Sequence, residues 1–171
     1  MMHLEFNLEK IARTGRQKEE ENFDFRSFLK GQDSDEVDQV VHRLHHEIAS
    51  QIDCRQCGNC CKWLRPCVTR QEIETLSGID HISSNDFVAQ FIEEDDEGII
   101  FLKDMPCKYL KGTVCSIYVH RPEDCKSYPH THKPGFTSRT LSVIDNYEIC
   151  PIVFNLFERL KEELNYKYRN W

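Results

Sequence analysis

The chain has 171 residues, of which 39% are hydrophobic and 30% charged, a composition typical of a folded domain rather than of a disordered chain. Its formal net charge of −7 argues against nucleic acid as a partner, because proteins that bind nucleic acid usually need a basic surface to neutralise phosphates. Since no apolar run approaches the roughly 18 residues of a membrane span and the N-terminus lacks a secretory apolar stretch, we expect a cytoplasmic protein that is not embedded in a membrane.

Residues 1–32 carry charge runs and an aromatic patch of Phe23, Phe25 and Phe28, and we expect them to form a loosely attached N-terminal arm. The patch is expected to dock on the protein's own surface, since isolated apolar segments usually find their own core; a protein or peptide partner is the alternative. Residues 33–171 are expected to form one metal-binding domain, because a chain of this length usually builds a single modest core.

A helix is predicted from Asp33 to Ile52, with Asp33 or Ser34 as the capping residue. Apolar residues recur there at the spacing of one helix face: Val37, Val40, Val41, Leu44 and Ile48. His42 and His46 fall on the opposite face of the helix, and His45 lies on the flank of the apolar face. The spacing of His42 and His46 can bind zinc, but no carboxylate motif accompanies it, so a solvent-facing surface is expected.

Short elements are predicted further along the chain. Thr69 and Glu72 form a capping box that starts a short helix ending near Gly78. The other predicted elements are a helix from Ser83 or Ser84, a strand over 98–102, a hairpin over 107–118, a helix over 121–126, a strand over 140–144 and a helix from Pro151. The predicted fold class is α+β, mainly helical, with short strands or hairpins and irregular cysteine-rich metal-binding loops.

Nine cysteines are the dominant feature of the composition. A disulfide framework is disfavoured because the number is odd, an export signal is lacking and the chain is long enough to build a core. In a reducing compartment, clustered thiols more often bind metal. The cysteines are therefore the first candidates for metal ligands.

Residues 54–61, with the sequence C-R-Q-C-G-N-C-C, place four thiols within eight residues. A C-x2-C loop lets two sulfurs converge on one metal ion, and Gly58 suits such a loop because glycine tolerates a positive φ. The C-x2-C-x2-C spacing is similar to that of bacterial ferredoxins, whose remaining ligand is a remote Cys-Pro, such as Cys150-Pro151 here. Because neighbouring side chains of an extended backbone point in opposite directions, Cys60 and Cys61 are expected to serve two sites, or one of them lines a site without binding.

A second group of thiols lies downstream and consists of Cys107, Cys115 and Cys125. Cys107 and Cys115 fit the two arms of the predicted hairpin, whereas Cys67 is expected to be a small buried residue. The eight thiols other than Cys67 suffice for two four-thiolate sites, while one [4Fe–4S] cluster would use half of them. Their spacing does not decide between zinc and an iron–sulfur cluster, or between one site and two.

Other polar residues lie near these thiols in the sequence. His130 and His132 can coordinate metal or donate to a sulfur, although a surface loop is the preferred interpretation. Arg121 and Tyr118 are candidates for supporting the site or contacting a substrate. For Arg121 the preferred interpretation is structural, with its guanidinium bonded to backbone carbonyls near the Pro122 turn.

The order of these motifs resembles the CxxCxxCC cysteine-cluster family, whose members are described as zinc- or iron-chelating. The resemblance rests on residues 54–61, Cys107, Cys115-Ser-Ile-Tyr118, Arg121-Pro-Glu-Asp-Cys125 and Tyr128-Pro129; the family usually has Phe-Pro at the last position. It implies seven metal ligands, Cys54, Cys57, Cys60, Cys61, Cys107, Cys115 and Cys125. Cys150 is a further candidate, less directly implied.

The predicted function is binding of zinc or of an iron–sulfur cluster, in one or two sites, by cysteines of both groups. The alternative is an iron–sulfur enzyme that acts in redox chemistry or in the modification of a protein or peptide. Conventional hydrolase, kinase and dehydrogenase functions are excluded, because the chain has no Ser-His-Asp order, Walker loop or dinucleotide-binding glycine motif.

Overall fold

The computed structural model describes residues 4–168 and divides into two compact units. Residues 4–53 and 129–168 form the helical unit, and Cys54–Tyr128 forms the cysteine unit. The described residues contain ten α-helices and two short antiparallel strand pairs, which confirms the predicted fold class. Within this part of the chain, no helix combines the length and apolar character needed to cross a membrane.

The elements follow one another in this order. The helical unit opens with α1 (Leu8–Gln17), α2 (Glu19–Leu29) and α3 (Ser34–Ala49). The cysteine unit contributes α4 (Cys54–Cys57), α5 (Cys60–Trp63), α6 (Arg70–Ile79), α7 (Ser84–Phe91), β1 (Ile92–Glu94), β2 (Ile100–Leu102), β3 (Leu110–Lys111), β4 (Val114–Cys115) and α8 (Glu123–Ser127). The chain returns to the helical unit with α9 (Phe136–Tyr147) and α10 (Pro151–Glu163).

Helix α3 lies at the centre of the helical unit, where it packs against α9 and α10. The Asp33 carboxylate accepts hydrogen bonds from the N–H groups of Asp35 and Glu36, each at 3.0 Å, and so caps the helix. The apolar face is buried at Val37, Val41, Leu44 and Ile48. Both the helix and its buried face confirm the prediction made from periodicity.

The first two helices belong to the core of the helical unit. Ile11, Phe25 and Leu29 are fully buried, and the Phe25 ring packs edge-on against that of Phe157 in α10, with 5.5 Å between centroids. Phe23, in contrast, is 41% exposed. Part of the aromatic patch therefore packs against its own unit, whereas the predicted domain boundary between residues 32 and 33 stays a prediction.

The strand predicted over residues 140–144 is wrong, because these residues lie within helix α9. β-Branched residues such as Thr140 and Ile144 favour strands by propensity, but the buried positions of α9 recur every three or four residues: Phe136, Thr140, Val143, Ile144 and Tyr147. Packing of this face against α2, α3 and α10 overrides the local preference.

The cysteine unit is built on a small apolar core, made of Val68, Ile73, Leu76, Phe87, Leu102, Tyr109 and Ile117. Helix α6 starts at the predicted capping box, with the Glu72 N–H donating to the Thr69 hydroxyl at 3.2 Å. Strand β1 pairs antiparallel with β2, and β3 pairs with β4 in the hairpin that was predicted. These elements frame the cysteine-rich loops.

Candidate metal centre

The C-x2-C loop is formed by two single helical turns, α4 and α5, joined at Gly58. Gly58 has a φ of +58°, which confirms the prediction of a positive φ. A Cβ atom at this position would lie 2.3 Å from the backbone oxygen of Thr113, in the turn between β3 and β4. Glycine therefore allows the cysteine loop to approach the hairpin closely, a contact that the sequence does not reveal.

The hairpin is also tied to α5 through the backbone next to two thiols. The N–H of Cys107 donates to the carbonyl oxygen of Cys61 at 2.8 Å. Cys115 lies in β4 opposite Leu110 of β3. Cys107 and Cys115 both pack against the apolar core of the cysteine unit, so these two thiols are held by rigid surroundings.

Cys60 and Cys61 lie in a helical turn, so the expectation of an extended backbone with opposed side chains is wrong. Their sulfur atoms are 3.9 Å apart. The hydrogen bond from the Cys60 thiol lowers the pKa of Cys61 and outweighs burial, which raises it; a backbone hydrogen bond and the charge of Arg121 lower it further, to about 7. Cys61 thus becomes a thiolate more readily than an ordinary cysteine.

Cys107, Cys115 and Cys125 have raised pKa values, first because burial disfavours their charged forms. The charge of Cys61 raises the pKa of all three further, and Cys107 and Cys115 also repel Cys125. Thiols that affect one another's ionisation lie in a common neighbourhood. We refer to Cys61, Cys107, Cys115 and Cys125 as the thiol quartet.

The donor chemistry of the thiol quartet fits a thiophilic cation. Four half-buried thiolates would repel one another without a positive charge among them, and zinc or iron supplies that charge. No disulfide joins any of the nine cysteines, all of which lie in the described range. Among residues 4–168, no three Cys, His, Asp or Glu side chains are already arranged to hold a metal ion, so binding requires their side chains to move closer together.

Arg121 lies at the edge of the thiol quartet. Its guanidinium stacks on the Tyr118 ring at 3.7 Å from the centroid, and Nη1 donates to the Tyr118 carbonyl oxygen at 2.6 Å. Arg55, from the cysteine loop, lies over the same ring at 5.8 Å. The predicted structural bond of Arg121 is therefore confirmed. Its charge also favours the thiolate forms of Cys61 and Cys115.

Cys67 is exposed, so the prediction that it is buried is wrong. Val68 occupies the core position instead and is 4% exposed. Cys67 forms a β-bridge with Phe101, and neighbouring residues in such an extended segment point to opposite sides. The Cys67 N–H donates to the Asp124 carboxylate at 3.0 Å.

The other predicted ligands lie in three places. Cys54 and Cys57 are the first and last residues of α4, and Cys60 opens α5. Cys150 belongs to the helical unit, where it is 6% exposed and precedes α10 as its N-cap residue. The assignment of these four cysteines and of the thiol quartet as metal ligands stays a prediction.

Comparisons with known proteins identify a family for this chain. Neither a search of curated proteins nor a search of solved structures found a match. The model of the CxxCxxCC family, described as a "putative zinc- or iron-chelating domain", matches residues 53–151. This span is more than half of the 171 residues, and it includes Cys150 together with the seven other predicted ligands. The chain belongs to the CxxCxxCC family.

Proposed function

We propose that the protein is a zinc-binding protein whose chief site is the thiol quartet. The observation that carries this proposal is that Cys61 lies close enough to the other three thiols for its charge to raise the pKa of each of them. Four thiolates are the donor set of closed, structural zinc sites. A divalent cation among them would offset their mutual repulsion and the cost of burying charge.

A zinc ion bound by the thiol quartet would join four separate segments of the cysteine unit. Cys61 lies in α5, Cys107 precedes β3, Cys115 lies in β4 and Cys125 lies in α8. Because these segments are short and the unfolded chain rarely holds a preformed metal site, the free energy of metal binding would add directly to the free energy of folding. We therefore propose a chiefly structural role for the metal.

An iron–sulfur centre is the second candidate, and the spacing of Cys54, Cys57 and Cys60 favours it. This C-x2-C-x2-C run is that of bacterial ferredoxins. If the run holds a cluster, the protein becomes a candidate for redox chemistry or for modification of a protein or peptide. We further propose a reducing compartment such as the cytoplasm, since both kinds of site need reduced thiols.

Purification without oxygen, followed by elemental analysis, distinguishes the two metals. The zinc proposal predicts a colourless protein with about one zinc per chain in the thiol quartet. A brown protein that contains iron and labile sulfide, without zinc, would contradict it and support the second candidate.

Two serine variants test the site itself. Cys107→Ser removes a ligand of the thiol quartet and is expected to lose about one equivalent of zinc. Cys67→Ser is the matched control in the same unit and is expected to keep the parent's zinc content. Full zinc content in Cys107→Ser, or an equal loss in Cys67→Ser, would refute the assignment.

A further inference from the structure

The helical unit brings together histidines from α3 and from the loop that precedes α9. Nδ1 of His45 lies 2.7 Å from the hydroxyl oxygen of the fully buried Thr131. The ring centroids of His45 and His132 are 5.1 Å apart. His42 precedes His45 by three residues on the same helix, a spacing that places both side chains on one face.

His42 has a nitrogen atom that lacks a partner. Its Nε2 atom is buried and makes no hydrogen bond, although buried polar atoms in proteins are nearly always paired. An imidazole nitrogen with a free lone pair is a common metal ligand. His42 is half-buried, so its predicted position on a solvent-facing surface is wrong, whereas His46 is exposed as expected.

The loop that carries His132 is fixed at both ends. The Arg139 guanidinium donates to the carbonyl oxygens of His130, Lys133 and Pro134. The buried Asp38 carboxylate accepts from the N–H groups at the start of α9, those of residues 135 and 136, at 2.6 and 2.9 Å. A loop held in this way positions a side chain with little further loss of conformational entropy.

Thr131 orients His45 for a ligand on the other side of the ring. Because Nδ1 contacts the Thr131 hydroxyl, Nε2 is the nitrogen left to bind, an arrangement common around metal-bound histidines. Burial, followed by the charges of His132, His42 and His46, also lowers the pKa of His45 to about 4. The exposed His132 gives a cation access from solvent.

We propose that His42, His45 and His132 form a second metal site, made of imidazoles and not of thiols, for a divalent cation of the zinc, nickel and copper class. Imidazole nitrogen suits these cations, and three histidines leave a coordination position open for water or substrate. His45 and His132 are in ring contact, and His42 completes the site by rotation of its side chain. The inference does not depend on the proposed function of the thiol quartet.

Nickel titration of the full chain tests the proposal, after the thiols have been loaded with zinc and a weak chelator has removed any zinc held by imidazoles alone, so that nickel reports on the imidazoles. Calorimetry is expected to show one nickel equivalent bound by the parent and none bound by His45→Gln or His132→Gln. His46→Gln is the matched control on the same helix and is expected to bind nickel as the parent does. Thr131→Val is expected to bind roughly 10- to 100-fold more weakly, as removal of a ligand-orienting group usually does.

A measurement on the parent guards against variants that fail to fold. Bound nickel is paramagnetic and is expected to broaden the imidazole NMR signals of His42, His45 and His132 most strongly. Unchanged nickel binding in His45→Gln or His132→Gln, loss of binding in His46→Gln, or broadening that spares these three rings would overturn the proposal.

Discussion

Acidity distinguishes Cys61 from the other thiols of the quartet. The Cys60 hydrogen bond and the Arg121 charge lower its pKa to about 7, whereas burial and neighbouring charge raise the pKa values of Cys107, Cys115 and Cys125. Since only thiolates bind zinc, protons compete with the metal for each sulfur. The apparent zinc affinity must therefore fall as the pH falls.

The steepness of this pH dependence is the first prediction. Above pH 7, Cys61 is largely ionised and the other three thiols are protonated, so zinc binding releases about three protons; below pH 7 it releases about four. The slope of log affinity against pH is expected to steepen accordingly from about three to about four as the pH falls. Competition titration against a chelator at several pH values measures it.

Cys61→Ser is the control for this slope. Without the acidic thiol, three protonated ligands remain, and the slope is expected to stay at about three on both sides of pH 7. A slope of about two or less in the parent would mean that some members of the thiol quartet do not bind zinc.

The sequence identifies individual cysteines better than it identifies their surroundings. The C-x2-C spacing alone directed attention to residues 54–61 and to the positive φ of Gly58. Alternation along an extended segment could have shown that Val68, and not Cys67, takes the core position. The approach of Gly58 to Thr113 and the contact of His45 with Thr131 join residues far apart in the chain, so no local pattern encodes them.

Gly58 also matters for the elements that it joins. In Gly58→Ala, the left-handed backbone costs about 1–2 kcal/mol, and the new Cβ would collide with the Thr113 backbone 2.3 Å away. We expect the variant to unfold at lower denaturant concentration and to lose zinc. Equilibrium unfolding and elemental analysis measure these two effects.

Gly78→Ala is the matched control for this change. Gly78 lies in α6, and a Cβ atom there would meet nothing within 4 Å. Alanine is expected to stabilise the helix by up to about 1 kcal/mol, because it loses less conformational freedom than glycine. Equal destabilisation by the two substitutions would show that the Thr113 contact is not responsible.

A buried ion network connects α2 with α10 in the helical unit. Nζ of Lys161, which is 6% exposed, donates to Glu21 at 2.6 Å, Asn22 at 2.7 Å and Glu158 at 3.1 Å. Lys161→Met would leave the two carboxylates without this cation. We expect a loss of about 3 kcal/mol in the free energy of unfolding, measured by denaturant titration.

Two further variants show whether the lost charge of Lys161 is the cause of the lower free energy of unfolding. Lys161→Met combined with Glu158→Gln is expected to regain part of the loss, because one of the two carboxylates that lost this cation is neutralised. Lys10→Met breaks the pair between the exposed Lys10 and the half-buried Glu5 and is expected to cost less than about 1 kcal/mol. A similar loss in Lys10→Met and Lys161→Met would argue against a special role for the buried network.

Sequence-based prediction is correct for elements whose ends and buried faces are encoded by residues close together in the chain. Asp33 and Thr69 cap α3 and α6, Gly112 with a φ of +64° turns the β3–β4 hairpin, and Pro151 opens α10. Residues 140–144 of α9 are wrongly predicted as a strand, because their β-branched side chains favour strands and the local sequence does not show their packing against the other helices. Strand β1 was missed because its three residues pair only through β2.

Apolar packing can supply a larger share of the folding free energy in the helical unit than in the cysteine unit. The helical unit buries long faces of five helices against one another. The cysteine unit spans about 75 residues, and a single core of that size rarely supplies more than about 3–5 kcal/mol. Metal binding is expected to contribute much of the folding free energy of the cysteine unit.

Removal of the metal should therefore affect the two units unequally. A strong chelator is expected to abolish hydrogen-exchange protection at Val68 and Leu102, whose N–H groups bond to Ile100 and Pro66, while amides of α3 and α10 stay protected. Exchange measured by mass spectrometry tests this, and added zinc should restore the lost protection. Cys67→Ser is expected to respond as the parent does, since the variant keeps every proposed ligand. Persistent protection at Val68 and Leu102 after complete removal of the metal would show that the apolar core folds unaided, and would contradict a structural role for zinc.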